Sequence, residues 1–367
     1  MSDRTLRLLL VVGEVTGGIA RHVRVLAEQL PRLDVDVTLL GPAVSLAAIG
    51  PPPTDVATGI VPVGSIRHVA TARKELRLAV GGIDLVHAHG IRAGVFAVAG
   101  RRPIGVPTPK PVVVTWHNAP LLEGAGGALQ RAAMRYAASR ADVTLGASPD
   151  LTIAARTAGA RDARDTFVAA PPLSGPTRSR EEVRASLGVG ARPLVLAVGR
   201  LQAQKRLDVL IDAAARWGGL ADGPLVLIAG SGPDEADLRA RISATSAPVE
   251  LLGARADIPD LLAAADVVAL PSSWEARALV AQEALRAGVP LVTTPVGGLP
   301  DLVGDAAIFV PVGDSKALEE AVMRVVRDAD LPGRMATAGR ERAATWPTVA
   351  ESIAALVATY RSVFEPS

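Results

Sequence analysis

Short apolar runs alternate with longer amphipathic ones along this chain of 367 residues. The runs predict strands over Leu6–Val12, Val35–Leu40, Ile60–Val63, Leu85–His87, Val112–Trp116 and Val143–Leu145. Helical spacing fills the gaps, as in Gly18–Leu30 and Leu129–Arg140. Such alternation predicts an α/β chain, with parallel sheets covered by helices. The pattern pauses at the Pro/Gly-rich stretch 169–176, of linker type, and then resumes. Strands are predicted again over Leu194–Val198, Leu225–Ala229, Val249–Leu252, Val267–Leu270, Leu291–Thr294 and Ala307–Val310. Leu8–Gly13 and Leu194–Gly199 are alike, each a buried strand ending in Gly before a loop and a helix. This weak internal repeat predicts two Rossmann-like domains, 1–170 and 191–345, joined by a linker over 171–190. Ligands of such sheets bind beyond the carboxyl ends of the strands. Two such domains facing each other would therefore place a site in an interdomain cleft.

Composition narrows the classes. Aromatics make up 3%, which argues against a base-stacking nucleic-acid platform. The net charge is +2 and no Lys/Arg block is present, so no nucleic-acid partner is expected. Cysteine is absent, which excludes disulfides and thiolate chemistry and allows a reducing cytoplasm. No signal-peptide pattern or membrane-length apolar run is read, so a cytoplasmic protein is expected, at most peripheral on a membrane. The basic residues are almost all arginine. Only Lys74, Lys110, Lys205 and Lys316 are lysine, which makes each worth a question.

Three segments carry candidate chemistry. Gly17-Gly18 lies between a strand and a helix, where backbone N–H groups can approach an anion. The spacing is not the dinucleotide G-x-G-x-x-G, and a plain turn is the alternative. Arg200 and Lys205 also follow a strand; a guanidinium fork and a point charge suit a diphosphate, and a solvated turn is the alternative. Third is Pro271-Ser-Ser-Trp-Glu-Ala-Arg-Ala-Leu-Val-Ala-Gln-Glu283. On one regular helix, Glu275 and Glu283 would be ~12 Å apart, too far to act as a close pair. The better reading puts Glu275 in a loop and Glu283 about a turn inside a helix. The N–H groups of Leu279 and Val280 then open that helix, available to phosphate. The carboxylates could hold sugar and ribose hydroxyls, with ordinary helix-face carboxylates as the alternative.

All five histidines, His22, His68, His87, His89 and His117, precede position 120. His117 ends a predicted strand and is read as an active-site residue. His87-Ala-His89 could suggest a metal, but no acidic cluster accompanies it and no metal is expected. Asp34-Val-Asp36 is read as a polar strand start. Arg131, Arg135 and Arg140, with Leu129, Met134 and Tyr136, make a basic amphipathic face. It could contact anionic lipid or be a solvated Arg face.

Together these residues resemble glycosyltransferase family 4, the large retaining family with the GT-B fold. The ordered set begins with Gly17-Gly18, Arg21-His22, Asp84-Leu-Val-His-Ala-His-Gly90 and Val114-Thr-Trp-His117. It continues through Val198-Gly-Arg-Leu, Lys205, Gly230-Ser-Gly-Pro233, Leu252-Gly253 and Ala265-Asp-Val-Val, then Pro271–Glu283, Ala287-Gly-Val-Pro290 and Val296-Gly-Gly298. The resemblance implies a hexosyl transfer from a nucleotide-diphosphate sugar to a hydroxyl of a glycan, lipid or small molecule, with no cofactor. It assigns Gly17 and Gly18 to the diphosphate from the N-terminal domain, and Arg200 and Lys205 from the C-terminal one. Glu275 would hold the donor sugar, Glu283 the ribose, Gly253 and Arg255 the base, and His117 the region of the anomeric centre and the acceptor. The donor-binding segment would include Arg277, Ala278, Leu279 and Val280. The family often has Gly after the first glutamate; here Ala276 and Arg277 follow, and Arg277 could reach the sugar or acceptor. The resemblance also implies that a terminal helix over Val349–Val363, within 346–367, packs back on the N-terminal domain. The donor could be a UDP-, GDP- or ADP-sugar, and the product an envelope glycan. A GT-B epimerase or phosphorylase, a non-catalytic scaffold and a dehydrogenase are the alternatives. The sequence gives no oligomeric state.

Overall fold

The structure is a computed structural model. It describes residues 5–51, 53, 56–60, 69–103, 108–119, 124–172, 174–220 and 223–364. The chain divides into two compact units, 1–169 with 347–367, and 170–346.

Unit 1 holds seven parallel strands: β1 (Leu6–Val12), β2 (Val35–Gly41), β3 (Ala57–Ile60), β4 (Leu85–His89), β5 (Val112–Trp116), β6 (Val143–Gly146) and β7 (Ala163–Asp165). Their order is β3-β2-β1-β4-β5-β6-β7. The central strands are apolar on both faces, as a sheet with helices on each side requires. Leu8, Leu10, Val12 and Val113 of the sheet share a buried cluster with Val23 and Leu26 of helix Gly17–Gln29. Ile353, Leu356, Val357 and Tyr360 of the helix Val349–Phe364 complete the same cluster.

Unit 2 holds six parallel strands: β8 (Leu194–Val198), β9 (Leu225–Ala229), β10 (Val249–Gly253), β11 (Val267–Leu270), β12 (Leu291–Thr293) and β13 (Ile308–Phe309). The order β10-β9-β8-β11-β12-β13 repeats the doubly wound plan. Its core joins Val195, Ala197, Val226 and Ile228 to Leu210 and Trp217 of helix Leu207–Trp217 and Leu318 and Val322 of helix Ser315–Arg327.

Several sequence expectations shift. β3 covers Ala57–Ile60 instead of Ile60–Val63; positions 61–63, like His68, lie outside the described residues. β7 carries no apolar run and went unread; it pairs through its backbone at the sheet edge. The basic helix spans Gly124–Ala138, earlier than Leu129–Arg140, so Arg140 lies beyond its end. The stretch read as a linker, 171–190, contains the helix Arg180–Ser186. Ser179 and Glu182 form a capping box there, a local helix signal that the Pro/Gly residues before it mask. Arg178 pairs with Asp257 and Asp260, and Arg180 and Arg184 pair with Asp266, which fastens this segment to unit 2.

Candidate active site

In unit 2 the strand order reverses between β8 and β11. Loops at such a switch point are where doubly wound sheets bind ligands. Here they are Gly199–Arg206 and Pro271–Ala278. Lys205 ends the short 3-10 turn Ala203–Lys205, and its Nζ donates to Glu275 Oε1 at 2.5 Å. Ser272 Oγ donates to the same oxygen at 2.6 Å. Glu275 is 6% exposed, so both partners offset the cost of burying its charge. The loop is tied down on both sides. Gln204 Nε2 donates to the Trp274 carbonyl at 2.6 Å, and Ser273 N–H donates to the Gln204 carbonyl at 2.8 Å. Gly298 N–H donates to the Glu275 carbonyl at 2.8 Å. Gly297 has φ +55°, and a Cβ there would lie 1.9 Å from that carbonyl oxygen, so only glycine fits.

Helix Leu279–Ala287 starts at once after this loop. Its cap residue Ala278 offers no side-chain hydrogen bond, and no acidic residue lies in the first turn. The Leu279 and Val280 N–H groups have no acceptor within the helix, and the helix dipole adds positive potential there. Glu283 is buried one turn further in. Glu275 and Glu283 are thus held by different elements, one by the loop and one by the helix.

Three arginines are also assigned to this site. Arg200 is exposed directly after Gly199. Arg255 follows Gly253 and forks onto Asp257, with Nε at 2.7 Å and Nη2 at 2.5 Å. The fork holds the Asp257 carboxyl below its usual range, chiefly through the Arg255 hydrogen bonds. Arg277 has an 8% exposed side chain, and its Nη1 lies 2.8 Å from Asp301 Oδ2. In this structure it ties the Glu275 loop to helix Leu299–Val303.

Unit 1 has its own switch point, between β1 and β4. Gly17, in the left-handed region at φ +56°, opens helix Gly17–Gln29, followed by Gly18; Thr16 makes no side-chain cap. Buried Ser45 accepts from Val15 N–H at 3.0 Å and donates to the Gly13 carbonyl at 2.8 Å, fixing the loop before this helix. Four histidines gather beside it: His22 on the helix, His87 and His89 on β4, and His117 after β5. Burial lowers His22 to about 4 and His87 to about 3. His89 and His117 are also held well below the usual range, by burial first and neighbouring imidazoles second. Among the described residues no group of three or more His, Cys, Asp or Glu side chains is arranged to hold a metal ion. Asp34, at φ +58°, and exposed Asp36 flank the start of β2, away from these groups.

Sequence reasoning missed Ser45, Ser272, Gln204 and Asp301. A lone Ser or Gln carries no spacing signal. Ser45, Gln204 and Asp301 act through contacts distant in sequence, whereas Ser272 lies three residues from its partner Glu275. His89 stands in the sequence only as part of a motif, and Tyr360 carries no signal of its own. The hydrogen bond between His87 and Tyr360 joins positions 273 apart.

Two Rossmann-like parallel sheets in one chain, with candidate residues at each switch point, define the GT-B class of fold. The chain belongs to glycosyltransferase family 4. Its family model, "Glycosyltransferase Family 4", matches residues 16–166, and "Glycosyl transferases group 1" matches residues 179–342. An alpha-maltose-1-phosphate synthase of Mycolicibacterium smegmatis is 31% identical over 92% of this chain and 94% of that one. An alpha-D-kanosaminyltransferase of Streptomyces kanamyceticus is 28% identical over 96% and 98%. In fold the chain is similar to Anabaena HepE in complex with UDP and glucose, with TM-score 0.81 and 22% identity over 97% and 100%. The protein is a glycosyltransferase.

Proposed function

We propose that the enzyme transfers a hexosyl group from a nucleoside-diphosphate sugar to an acceptor hydroxyl, with retention of configuration and without a bound metal. The observation that carries this reading is the Lys205–Glu275 contact beside the uncapped start of helix Leu279–Ala287. Breaking the C1–O bond builds negative charge on the β-phosphate. Arg200, Lys205 and the Leu279 and Val280 N–H groups would stabilise that charge, the largest single contribution in many enzymes. Cations supplied by the chain do the work for which a divalent ion would otherwise be needed. Glu275 would take sugar hydroxyls and Glu283 the ribose. Gly253 and Arg255 would flank the base. Gly17 and Gly18 would meet the diphosphate, and His117 would lie near the anomeric centre on the acceptor side. The acceptor oxygen attacks on the face the phosphate leaves, and its proton passes to the departing phosphate oxygen.

Two of the relatives that span most of the chain, the kanosaminyltransferase and the maltose-1-phosphate synthase, carry an α in their names. Common nucleotide hexoses are α-linked, so an α product means retention. Uridine donors come first for testing, because HepE is described with UDP and with UDP-glucose. An envelope glycan or lipid and a small polyol remain the acceptor classes. No helix among the described residues is long and apolar enough to cross a membrane. Exposed Leu129, Arg131, Arg135 and Tyr136 would allow a peripheral contact. A cytoplasmic setting, where nucleotide sugars are made, suits this chemistry. Neither relative named above is called an epimerase.

A panel of UDP, GDP, ADP, dTDP and their sugars tests this by thermal shift and donor hydrolysis, with and without EDTA. A selective, EDTA-insensitive response to one base class is expected. Activity abolished by EDTA and restored by Mg²⁺ would overturn the metal-free reading.

A further inference from the structure

The proposed reaction uses one histidine of four. His89 Nδ1 lies 3.1 Å from His117 Nε2, and the two rings are stacked with centroids 5.4 Å apart. His89 is 1% exposed and His117 7%. The other nitrogen of His89, Nε2, is buried and has no hydrogen-bond partner among the described residues. His87 packs on the His89 ring at 4.1 Å between centroids. It has no hydrogen bond to offer, because its nitrogens are taken by Tyr360 Oη and Thr115 Oγ1, each at 2.7 Å.

A neutral imidazole has one donor nitrogen and one acceptor nitrogen. Of the two facing nitrogens, one must donate and the other accept. If His117 donated, His89 would carry its proton on Nε2, a buried N–H without an acceptor. Orphaned buried N–H groups are the rarer kind of unpaired atom in folded proteins. If His89 donates from Nδ1, the unpaired atom is only a lone pair.

We infer that His89 donates from Nδ1 to His117 Nε2 and is a positioning residue for the transfer, fixing the ring orientation and tautomer of His117. His117 then carries its own proton on Nδ1 and offers a neutral N–H donor as its remaining polar group. Burial and imidazole crowding keep both rings uncharged far below neutral pH, so this donor persists across the working range. The inference rests on the proposed place of His117 at the acceptor side.

¹⁵N spectroscopy of the full chain reads the tautomer directly and needs no variant. A protonated Nδ1 on His117 is expected; a protonated Nε2 overturns the inference. Two variants then separate donor from bulk. His89→Asn keeps an N–H near the Nδ1 position, and His89→Leu keeps only volume. His89→Leu should mix the His117 tautomers and cost ~10- to 100-fold in kcat, by analogy with the loss of a hydrogen bond that orients a metal-bound histidine. Donor KM should hold, and His89→Asn should restore most of the rate. A single unchanged tautomer in His89→Leu overturns the inference, as does an unchanged rate there while His117→Gln is impaired. If His117→Gln is itself near wild type, the acceptor role of His117 fails and the positioning role with it. The spectrum still shows which of the two rings donates.

Discussion

The two units share one strand order and surround its switch point with opposite electrostatics. At the switch point of unit 2, charge is gathered and compensated: Lys205 against Glu275, Arg277 against Asp301, with Glu283 behind an uncapped helix start. At the switch point of unit 1, four imidazoles are packed together and held neutral. The strand order makes the place, and the loop residues decide its electrostatics. A negatively charged donor suits the first site and a neutral hydroxyl acceptor the second.

The comparison breaks most easily at Lys205. Lys205→Ala should lower turnover by at least ~10²-fold, as losing a donor to a developing anion does. Steady-state kinetics with saturating donor would show it; a near-normal kcat would remove unit 2 as the charge-stabilising half. Glu283→Ala should weaken nucleotide binding by ~10-fold or more, the worth of a charge-assisted hydrogen bond. Calorimetry with the matched nucleoside diphosphate would check this, and unchanged affinity would contradict the ribose role.

Unit 1 should respond to pH where unit 2 does not. Above about pH 6.5 histidine is neutral whether the chain is folded or not, and pH leaves stability alone. Below it the unfolded chain takes up protons that native His87 refuses until about 3 and native His22 until about 4. Stability then falls as pH falls, by up to ~1.4 kcal/mol per pH unit for each such histidine. Urea midpoints between pH 8 and pH 5 would show the decline, and His87→Gln should make it shallower by one histidine's share while His22, His89 and His117 keep theirs. A midpoint constant over that range would mean that the imidazoles are not held neutral. The smallest effect belongs to Arg277. Asp301 is 54% exposed, so the pair itself contributes less than ~1 kcal/mol. Asp301→Asn should raise donor KM a few-fold with kcat nearly constant. A larger loss from Arg277→Gln than from Asp301→Asn would mean that the guanidinium also touches the donor.

Sequence pattern recovered most strands because buried parallel strands are continuous apolar runs. β1, β5, β8, β9 and β11 begin and end where periodicity placed them. β7 was missed because an edge strand with Ala, Arg and Asp buries little. The site was legible where motif spacing carries chemistry: Glu275 in a loop, Glu283 a turn into a helix, Lys205 beside Gly199. Pairing was not legible. Nothing in the linear spacing says that Arg277 meets Asp301 or that His89 meets His117, because those choices are made by tertiary packing.

Helix Val349–Phe364 belongs to unit 1 although the whole of unit 2 separates it from the rest of that unit in sequence. A ribosome therefore delivers the seven strands of unit 1 well before the helix that covers them. Until residue 360 emerges, His87 lacks its hydroxyl partner, and Leu26 and Val113 lack part of their apolar cover. Unit 2 is one contiguous stretch of chain, whereas unit 1 is complete only when the last residues to be synthesised join the first.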